Sequence, residues 1–292
     1  MPQTYTFRQF DADYPDNDAC LAKIMELRYG DNPFCRECKR HTKYHRIAKR
    51  RAYACQFCGG HVYPCVGTPF EKSRTPLRDW FFAMYLFTTT RHGVAAKELE
   101  RQLGVTYKTA WRIGHELRKL MAGMDVSGLF GEVEADETYV GGKRPGKRGR
   151  GADGKSVVVG LKQRQGPVKS KVVPDAKRRT IEPEIVRNVR QGSVVHTDEW
   201  FAYRGLAKRG YTHRTVHHGA QEWVKGGSHT NSIEGYWSQI KRSIRGTHVH
   251  VSAKHLPKYL AEFDFRHNVR KRPDLMFPLL MELIRQARPA AA

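Results

Sequence analysis

Three acidic side chains in the second half of the sequence could hold divalent metal ions together. Asp136 and Asp198 each end a strand-like segment, and Glu234 stands at the opening of a long helical pattern. Three acids on three separate elements can converge in a fold, and carboxylate oxygens are the ligands that Mg²⁺ or Mn²⁺ prefers. Two such ions about 4 Å apart stabilise charge on the attacking and leaving oxygens of a phosphodiester. The chemistry indicated is metal-dependent phosphodiester cleavage.

Each of these acids also has a simpler explanation. Four neighbouring acids in the sequence could equally be solvated surface charge: Glu132, Glu134, Glu137 and Glu199. Positions at strand ends favour the two aspartates over these neighbours. Asn231 and Glu234 have the spacing of a capping box, in which the glutamate would only stabilise the start of a helix.

Six cysteines include a second set of candidate metal ligands. Two CxxC pairs, Cys35 with Cys38 and Cys55 with Cys58, are separated by sixteen residues. This spacing is typical of a structural Zn²⁺ ion held by four thiolates at about 2.3 Å. Cys20 and Cys65 fall outside the pattern and are expected to be buried thiols. His41 and His61 could substitute as ligands, but four cysteines already fill the shell.

The charge of the chain indicates an acidic partner. The 292 residues include 52 Lys and Arg against 29 Asp and Glu, a formal net charge of +23. A polyanion is the natural partner, and charge alone does not distinguish double-stranded DNA from RNA, a ribosome or a membrane surface. A hydrophobic fraction of 39% excludes a disordered basic tail. The longest apolar run, residues 80–87, is far shorter than the roughly 20 residues that cross a bilayer. We therefore expect a cytoplasmic, nucleoid-associated protein with no membrane partner.

The elements before residue 125 are predicted to be helical. Thr75 and Pro76 signal a helix start, with Thr75 as N-cap and Pro76 as first helical residue. Residues 93–105 and 106–120 then have the outline of a helix-turn-helix, with Gly104 in a left-handed turn and Thr106 capping the second helix. Candidate DNA contacts on the second helix are Thr106, Tyr107, Lys108, Thr109 and Arg112. A generic helical hairpin would give the same pattern.

The elements after residue 131 are predicted to form a mixed α/β sheet. Strand patterns cover 132–140, 156–161, 168–173 and 193–198, and a helix is predicted over 181–189. A glycine-rich basic loop follows the first strand and could clamp DNA, although a solvated loop explains it equally. Its candidate DNA contacts are Lys143, Arg144, Lys147, Arg148 and Arg150. His213, His217 and His218 form a histidine cluster to which we assign no role.

Three motifs around the acids resemble a known family. Residues 136–143, residues 197–200 with Tyr203, and residues 231–234 with Trp237 and Lys241 resemble the bacterial insertion-sequence transposases of the DDE type that carry an N-terminal zinc ribbon. The resemblance covers nearly the whole chain and implies a core similar to RNase H and retroviral integrases.

The resemblance also implies roles for individual residues. Asp136, Asp198 and Glu234 would bind two Mg²⁺ or Mn²⁺ ions, and Lys241 would contact a phosphate near the cut. Cleavage would free a 3′-hydroxyl at the element end, which then attacks target DNA. Transposases generally assemble on two element ends, so a homodimer or higher oligomer is expected.

The sequence therefore predicts a multidomain α/β protein. We expect a zinc ribbon within 1–70, a helix-turn-helix within 71–125, an RNase H-like catalytic domain within 126–250 and a helical tail over 251–292. The predicted function is binding of terminal inverted repeats, strand cleavage and strand transfer. Two alternatives remain: a non-catalytic DNA-binding regulator, and an RNase H-like nuclease that cuts without rejoining.

Overall fold

The computed structural model describes residues 5–141, 154–216 and 229–286. The chain divides into two compact units, one within residues 1–123 and 271–292 and the other within residues 124–270. Within the described part of the chain, no helix has both the length and the apolar character needed to span a membrane.

The first unit combines small antiparallel strands with helices. Its helices are α1 (Phe7–Asp13), α2 (Asn17–Tyr29), α3 (Leu77–Thr89), α4 (Ala96–Leu103), α5 (Tyr107–Met121) and, near the chain's end, α9 (Met276–Gln286). Its strands are β1 (Phe34–Cys35), β2 (Arg40–His41), β3 (Tyr44–Arg46), β4 (Tyr53–Cys55) and β5 (His61–Val62). The strands form a β1–β2 pair and a β3–β4–β5 sheet.

Aromatic packing holds the helices of this unit together. Tyr14 contacts Phe81 of α3 with ring centroids 4.9 Å apart, and Phe277 of α9 stacks on Tyr5 at 4.9 Å. Arg28 links α2 to the ribbon by donating to the carbonyl oxygen of Pro64 (2.6 Å). The ribbon strands are two or three residues long, so side chains from outside them must supply much of their support.

Helix α3 begins one residue later than predicted. Leu77 is its first residue and Pro76 its N-cap, with no side-chain capping bond. The predicted cap, Thr75, uses its carbonyl oxygen to accept from Arg51 (2.6 Å) and lies outside the helix. The next two signals are confirmed, because Gly104 adopts φ 63° after α4, and the Thr106 side chain accepts from the Thr109 amide at the start of α5.

The second unit is a mixed five-stranded sheet between helices. Its strands are β6 (Glu132–Val140), β7 (Ser156–Gln163), β8 (Val168–Val173), β9 (Val194–Thr197) and β10 (Thr212–Thr215). Its α-helices are α6 (Arg178–Asn188), α7 (Asn231–Ser243) and α8 (Leu256–Val269). The strand order is β10-β9-β6-β7-β8, and β7 alone runs in the direction opposite to the other four strands. The prediction of a mixed α/β protein is confirmed.

The two faces of the sheet bury different helices. Val133 and Ala135 of β6 pack with Ile181 and Ile185 of α6 in one core cluster. On the other face, buried residues of α7 and α8 pack against Val140, Val158 and Val168. Because successive side chains of a strand alternate between faces, residues 134 and 136 point to the side of α7.

Side chains of α8 form hydrogen bonds with backbone groups at the outer edge of β8. The Asn268 side chain both accepts from the amide of Val168 (2.7 Å) and donates to its carbonyl oxygen (2.9 Å). Asp264, one helical turn earlier, accepts from the amide and the hydroxyl of Ser170 (both 2.8 Å) and from the hydroxyl of Tyr236 on α7. An edge strand covered in this way cannot pair with another chain.

The segment predicted as a helical tail supplies a helix to each unit. Helix α8 packs on β8, whereas α9 packs with the N-terminal helices α2, α3 and α5. Helix α6 begins three residues before the predicted start, since the carbonyl oxygen of Lys177 accepts from the amides of Thr180 (2.9 Å) and Ile181 (3.0 Å).

Candidate active site and metal centre

Four cysteines of the ribbon form a compact set of sulfur ligands. Cys35, Cys38, Cys55 and Cys58 have Sγ atoms that all lie within 4.8 Å of one another. Cys35 and Cys58 are 3.5 Å apart at sulfur, and Cys38 and Cys55 are 3.7 Å apart. A tetrahedron of thiolates around Zn²⁺ has sulfur–sulfur edges of about 3.8 Å. The arrangement therefore fits a zinc ion, as the CxxC spacing predicts.

The four thiols differ in acidity: the pKa values of Cys35 and Cys55 are lowered, whereas those of Cys38 and Cys58 are raised. The backbone amide of Cys38 and the hydroxyl of Tyr44 lower the pKa of Cys35 to about 6. Zinc binds thiolates, so a depressed pKa reduces the free-energy cost of metal binding at neutral pH. Cys20 and Cys65 are buried free thiols, as expected, and lie outside the set of four sulfur ligands. Burial raises the pKa of each.

Parallel pairing of β6 with β9 brings the two predicted aspartates together. The observed register sets Glu132 opposite Val194 and Glu134 opposite His196. Continuing this register by two residues sets Asp136 beside Asp198, which immediately follows β9. Asp198 follows the end of β9, but Asp136 lies in the middle of β6, so the expected strand-end position is wrong for Asp136. The two carboxylates lie just past the paired stretch of these parallel strands, although 61 residues separate them in the sequence.

Two hydrogen bonds fix α7 over β6. Glu134 accepts from the backbone amide of Ile233 in the first turn of α7 (2.9 Å). The indole Nε1–H of Trp237, one turn later, donates to Oδ2 of Asp136 (3.0 Å). Glu234 lies between these two contacts in the sequence of α7. The helix that carries the third acid is thus tied directly to the strand that carries the first.

A glycine on the neighbouring strand allows this approach. Gly160 of β7 pairs with Asp136, and an added Cβ there would lie 2.4 Å from the Trp237 ring and 2.9 Å from Ile233. Any side chain at 160 would push α7 away from the sheet.

Glu234 is half-buried and does not form the capping box that its spacing allows. The residue preceding α7 is Thr230, whose side chain makes no capping bond, and Asn231 is already helical. Instead, the Thr230 hydroxyl donates to Oε1 of Glu234 (2.9 Å). The capping-box explanation of Glu234 is therefore wrong. Among the described residues, only the four cysteines form a metal-ligand set as tight as 4.8 Å, so the three carboxylates are more widely spaced.

Burial and negative neighbours perturb Asp136. Its pKa is raised to about 7 by burial, by the adjacent Glu137 and by Asp198. A carboxyl group in such surroundings binds a cation favourably, because the positive charge relieves the repulsion between the acids. Perturbed acids of this kind cluster at functional sites.

Lys241 lies near this acid pair and lines an adjacent groove. Burial lowers the pKa of Lys241, while the negative charge of Asp136 raises it. The groove has a volume of about 680 Å³ and is also lined by Lys155, Arg245 and residues 137–141. Its cations could hold phosphates, and its lining reaches Glu137, the direct neighbour of Asp136.

Known proteins similar to this chain come from transposable elements. Residues 128–268, which span the second unit almost completely, match the family described as ISXO2-like transposase domain. This match supports an insertion-sequence transposase. The chain is also 29% identical over 275 residues to an uncharacterized protein in the transposable element ISH50 of Halobacterium salinarum, covering 86% of this chain and 90% of that protein.

The other acids of the second unit have different surroundings. Glu134 is fully buried and also accepts from Nε of Arg164 (3.1 Å), and Glu137 is buried and accepts from the hydroxyl of Tyr203 (2.7 Å). The surface-charge explanation is wrong for both. Glu132 and Glu199 are exposed, as that explanation requires. Sequence reasoning missed Glu134, since nothing near it in the sequence reveals its partners.

Predicted DNA contacts outside the second unit lie at the start of α5. Thr106, Tyr107, Lys108 and Arg112 are exposed and Thr109 is half-buried. Lys97 of α4 places its ammonium 5.1 Å from the Tyr107 ring centroid. The five predicted contacts of the basic loop, from Lys143 to Arg150, lie outside the described residues, as do His217 and His218. His213 hydrogen-bonds Thr197 (2.9 Å).

Proposed function

We propose that this chain is a transposase that binds the terminal inverted repeats of its element, cleaves DNA there and transfers the cut strand into target DNA. The observation that carries the proposal is the grouping of Asp136, Asp198 and the Glu234 helix at one end of the β6–β9 pair, beside a basic groove. The match to the transposase family supports it.

The fold of the catalytic unit is proposed to be RNase H-like. The strand order β10-β9-β6-β7-β8, with the second strand of the unit reversed, supports this assignment. So do the positions of Asp136 on the first strand, Asp198 after the fourth and Glu234 on a later helix.

Asp136, Asp198 and Glu234 are the proposed ligands of two divalent ions. Their donor set is all carboxylate oxygen, which suits Mg²⁺ or Mn²⁺. Such ions, when bound, would stabilise charge on the attacking and leaving oxygens of the phosphodiester. Trp237 holds one oxygen of Asp136 in place, and Lys241 neutralises a phosphate of the bound strand. Hydrolysis at the element end releases a 3′-hydroxyl. This hydroxyl attacks a phosphodiester of the target, forms a new phosphorus–oxygen bond and displaces the 3′-oxygen of the target strand, which leaves as a 3′-hydroxyl.

The first unit is proposed to hold DNA. A zinc ion at the four cysteines would stabilise the ribbon, and the exposed start of α5 would contact the element ends. Assembly on two ends calls for a homodimer or higher oligomer.

An end-cleavage and joining assay tests the proposal. The protein is incubated with Mg²⁺ and a duplex that carries the DNA flanking its reading frame, and nicked and joined products are separated. Wild type is expected to give both. Asp198→Asn is expected to give neither, whereas the matched control Glu199→Gln, at the exposed neighbouring acid, stays active. Joining by Asp198→Asn refutes the site assignment.

Two other outcomes point to the alternatives. Binding of the flanking DNA without cleavage in Mg²⁺ or Mn²⁺ favours a regulator. Nicking without joined products favours a plain nuclease.

A further inference from the structure

The turn that follows α7 has a rare backbone conformation. Helix α7 continues into one π-helical turn, Ile244–His248, and Val249 then adopts φ 61° and ψ −52°. The amide of His250 donates to the carbonyl oxygen of His248 (2.6 Å), which closes a three-residue γ-turn around Val249. A γ-turn with positive φ is strained, and a β-branched residue at such a φ is a genuine outlier.

Buried residues on both sides hold this strained turn in place. Ile244 and Val251 are buried in the core formed by α7 and α8. The His248 ring packs against Tyr259 of α8 with centroids 4.8 Å apart. Between these anchors the side chain of Val249 is 80% exposed. Strain of this kind persists only where the surrounding structure enforces it, and it clusters at sites that bind or react.

The surroundings of Val249 are cationic. It lines the same groove as Lys155, Lys241 and Arg245, and the groove reaches Glu137 beside Asp136. Glu137 is the one acid among the described lining residues, and its Oε2 accepts from the buried Tyr203 hydroxyl. A polyanion is therefore the ligand that this groove favours electrostatically.

We propose that Val249 is a wedge that packs against a base of the DNA strand in this groove and unstacks it next to the cut, while Lys155, Lys241 and Arg245 hold the strand's phosphates. Apolar side chains inserted between base steps are an established way for proteins to unstack DNA. The proposal rests on the proposed function, because it takes the groove to hold an element end.

Val249 is highly exposed beside cations, whereas Val140, Ile244 and Val251 of the same lining are buried, and one exposed apolar side chain favours DNA over a second copy of this chain. Protein interfaces have an apolar core with few charges at its centre. DNA instead presents phosphates to the cations and the apolar face of a base to the valine.

Fluorescence of 2-aminopurine placed at the terminal positions of the duplex tests the wedge. The measurement is made on the full chain without divalent metal, so it does not depend on cleavage. Wild type is expected to raise the fluorescence by unstacking the probe. Val249→Ala is expected to lose most of this rise while retaining DNA binding. The matched control is Val186→Ala on α6, which removes the same atoms from a side chain that is 43% exposed.

Two further variants of the experiment separate the wedge from a folding defect. Val249→Gly removes the side chain and relieves the positive φ, so it should melt no lower than wild type and still lose the fluorescence rise. In Mg²⁺, both Val249 variants should cut a fully paired end on the order of tenfold more slowly, and a mismatch at the unstacked base should restore the rate.

Several results overturn the wedge. The first is that wild type binds the duplex but the fluorescence does not rise. The second is that Val249→Ala and Val186→Ala give the same rise. The third is that Val249→Ala changes the sedimentation of the free protein, which would assign the valine to a contact with a second copy of the chain. Absence of duplex binding removes both proposals. A fluorescence rise without cleavage removes only the proposed catalysis.

Discussion

Replacing Glu134 by glutamine should loosen the helix that carries Glu234. The Glu134 side chain is 0% exposed, and its oxygens lie 2.9 Å from the Ile233 amide, 3.1 Å from Nε of Arg164 and 3.2 Å from Nδ1 of His229. The Ile233 amide and Nε of Arg164 each donate a hydrogen bond to a different oxygen of Glu134, whereas Nδ1 of His229 lies at ion-pair distance and forms no hydrogen bond with a described residue. Glutamine has one oxygen and one NH₂ group, so in either orientation its NH₂ faces a donor.

The expected loss follows from these contacts. Removing one partner of a buried ion pair costs about 3–5 kcal/mol. Arg164 keeps its bonds to Glu132 (2.7 Å) and to the His229 carbonyl oxygen (3.0 Å), which reduces the loss. A local destabilisation of about 3 kcal/mol remains, close to the value of one or two charge-assisted hydrogen bonds. At 1.4 kcal/mol per tenfold, this is roughly a hundredfold in the opening equilibrium.

Amide hydrogen exchange of the full chain measures this opening directly. Glu134→Gln should speed exchange in the first turn of α7 by roughly a hundredfold. The control is Glu132→Gln, whose side chain is 44% exposed and pairs with the same arginine, and it should cost less than about 1 kcal/mol. Equal exchange in the two variants would refute the role given to Glu134. A loosened α7 should also slow strand cleavage, since Glu234 follows Ile233 directly.

Three further predictions concern zinc, packing and pH. Cys35→Ser should abolish stoichiometric zinc by metal analysis, while Cys65→Ser keeps it; zinc retained by Cys35→Ser would contradict the ligand set. Gly160→Ala should destabilise the protein by about 1–3 kcal/mol, because its Cβ would lie 2.4 Å from the indole of Trp237 on α7. Gly235→Ala, whose Cβ would meet nothing within 4 Å, should instead stabilise α7 by up to about 1 kcal/mol. Chemical denaturation measures both changes. Burial raises the pKa of Asp264 from 3.8 to about 7, so its contribution to the free energy of unfolding is fully present below about pH 4 and is lost as pH rises through 7. Asp264→Asn should flatten the plot of unfolding free energy against pH over this range. An unchanged plot would disprove the assignment.

Local patterns in the sequence were sufficient for several elements. Strands β6, β7 and β8 start at the predicted residues because runs of β-branched side chains with flanking glycines have few other solutions. The spacing of the four cysteines was sufficient to predict their cluster, and the preference of glycine for left-handed backbone angles was sufficient to predict the turn at Gly104. In each case the determining residues are neighbours in the chain.

Local sequence patterns did not predict contacts between residues that are distant in the chain. Glu134 looks like any surface glutamate until Ile233, 99 residues later, packs on it. The bond from Trp237 to Asp136 spans 101 residues. Likewise, α8 packs on the sheet and α9 packs on the N-terminal helices, and no local pattern predicts this division. Tertiary packing, which no local window contains, makes these choices.

The contribution of α9 to the first unit has a consequence for synthesis on the ribosome. Met276, Phe277, Leu280 and Ile284 are buried there, against helices translated more than 150 residues earlier. The nascent N-terminal unit therefore waits with an uncovered apolar surface until nearly the whole polypeptide has emerged. A product that terminates before α9 lacks part of the packing of the first unit, so we expect it to be less stable than the full-length protein.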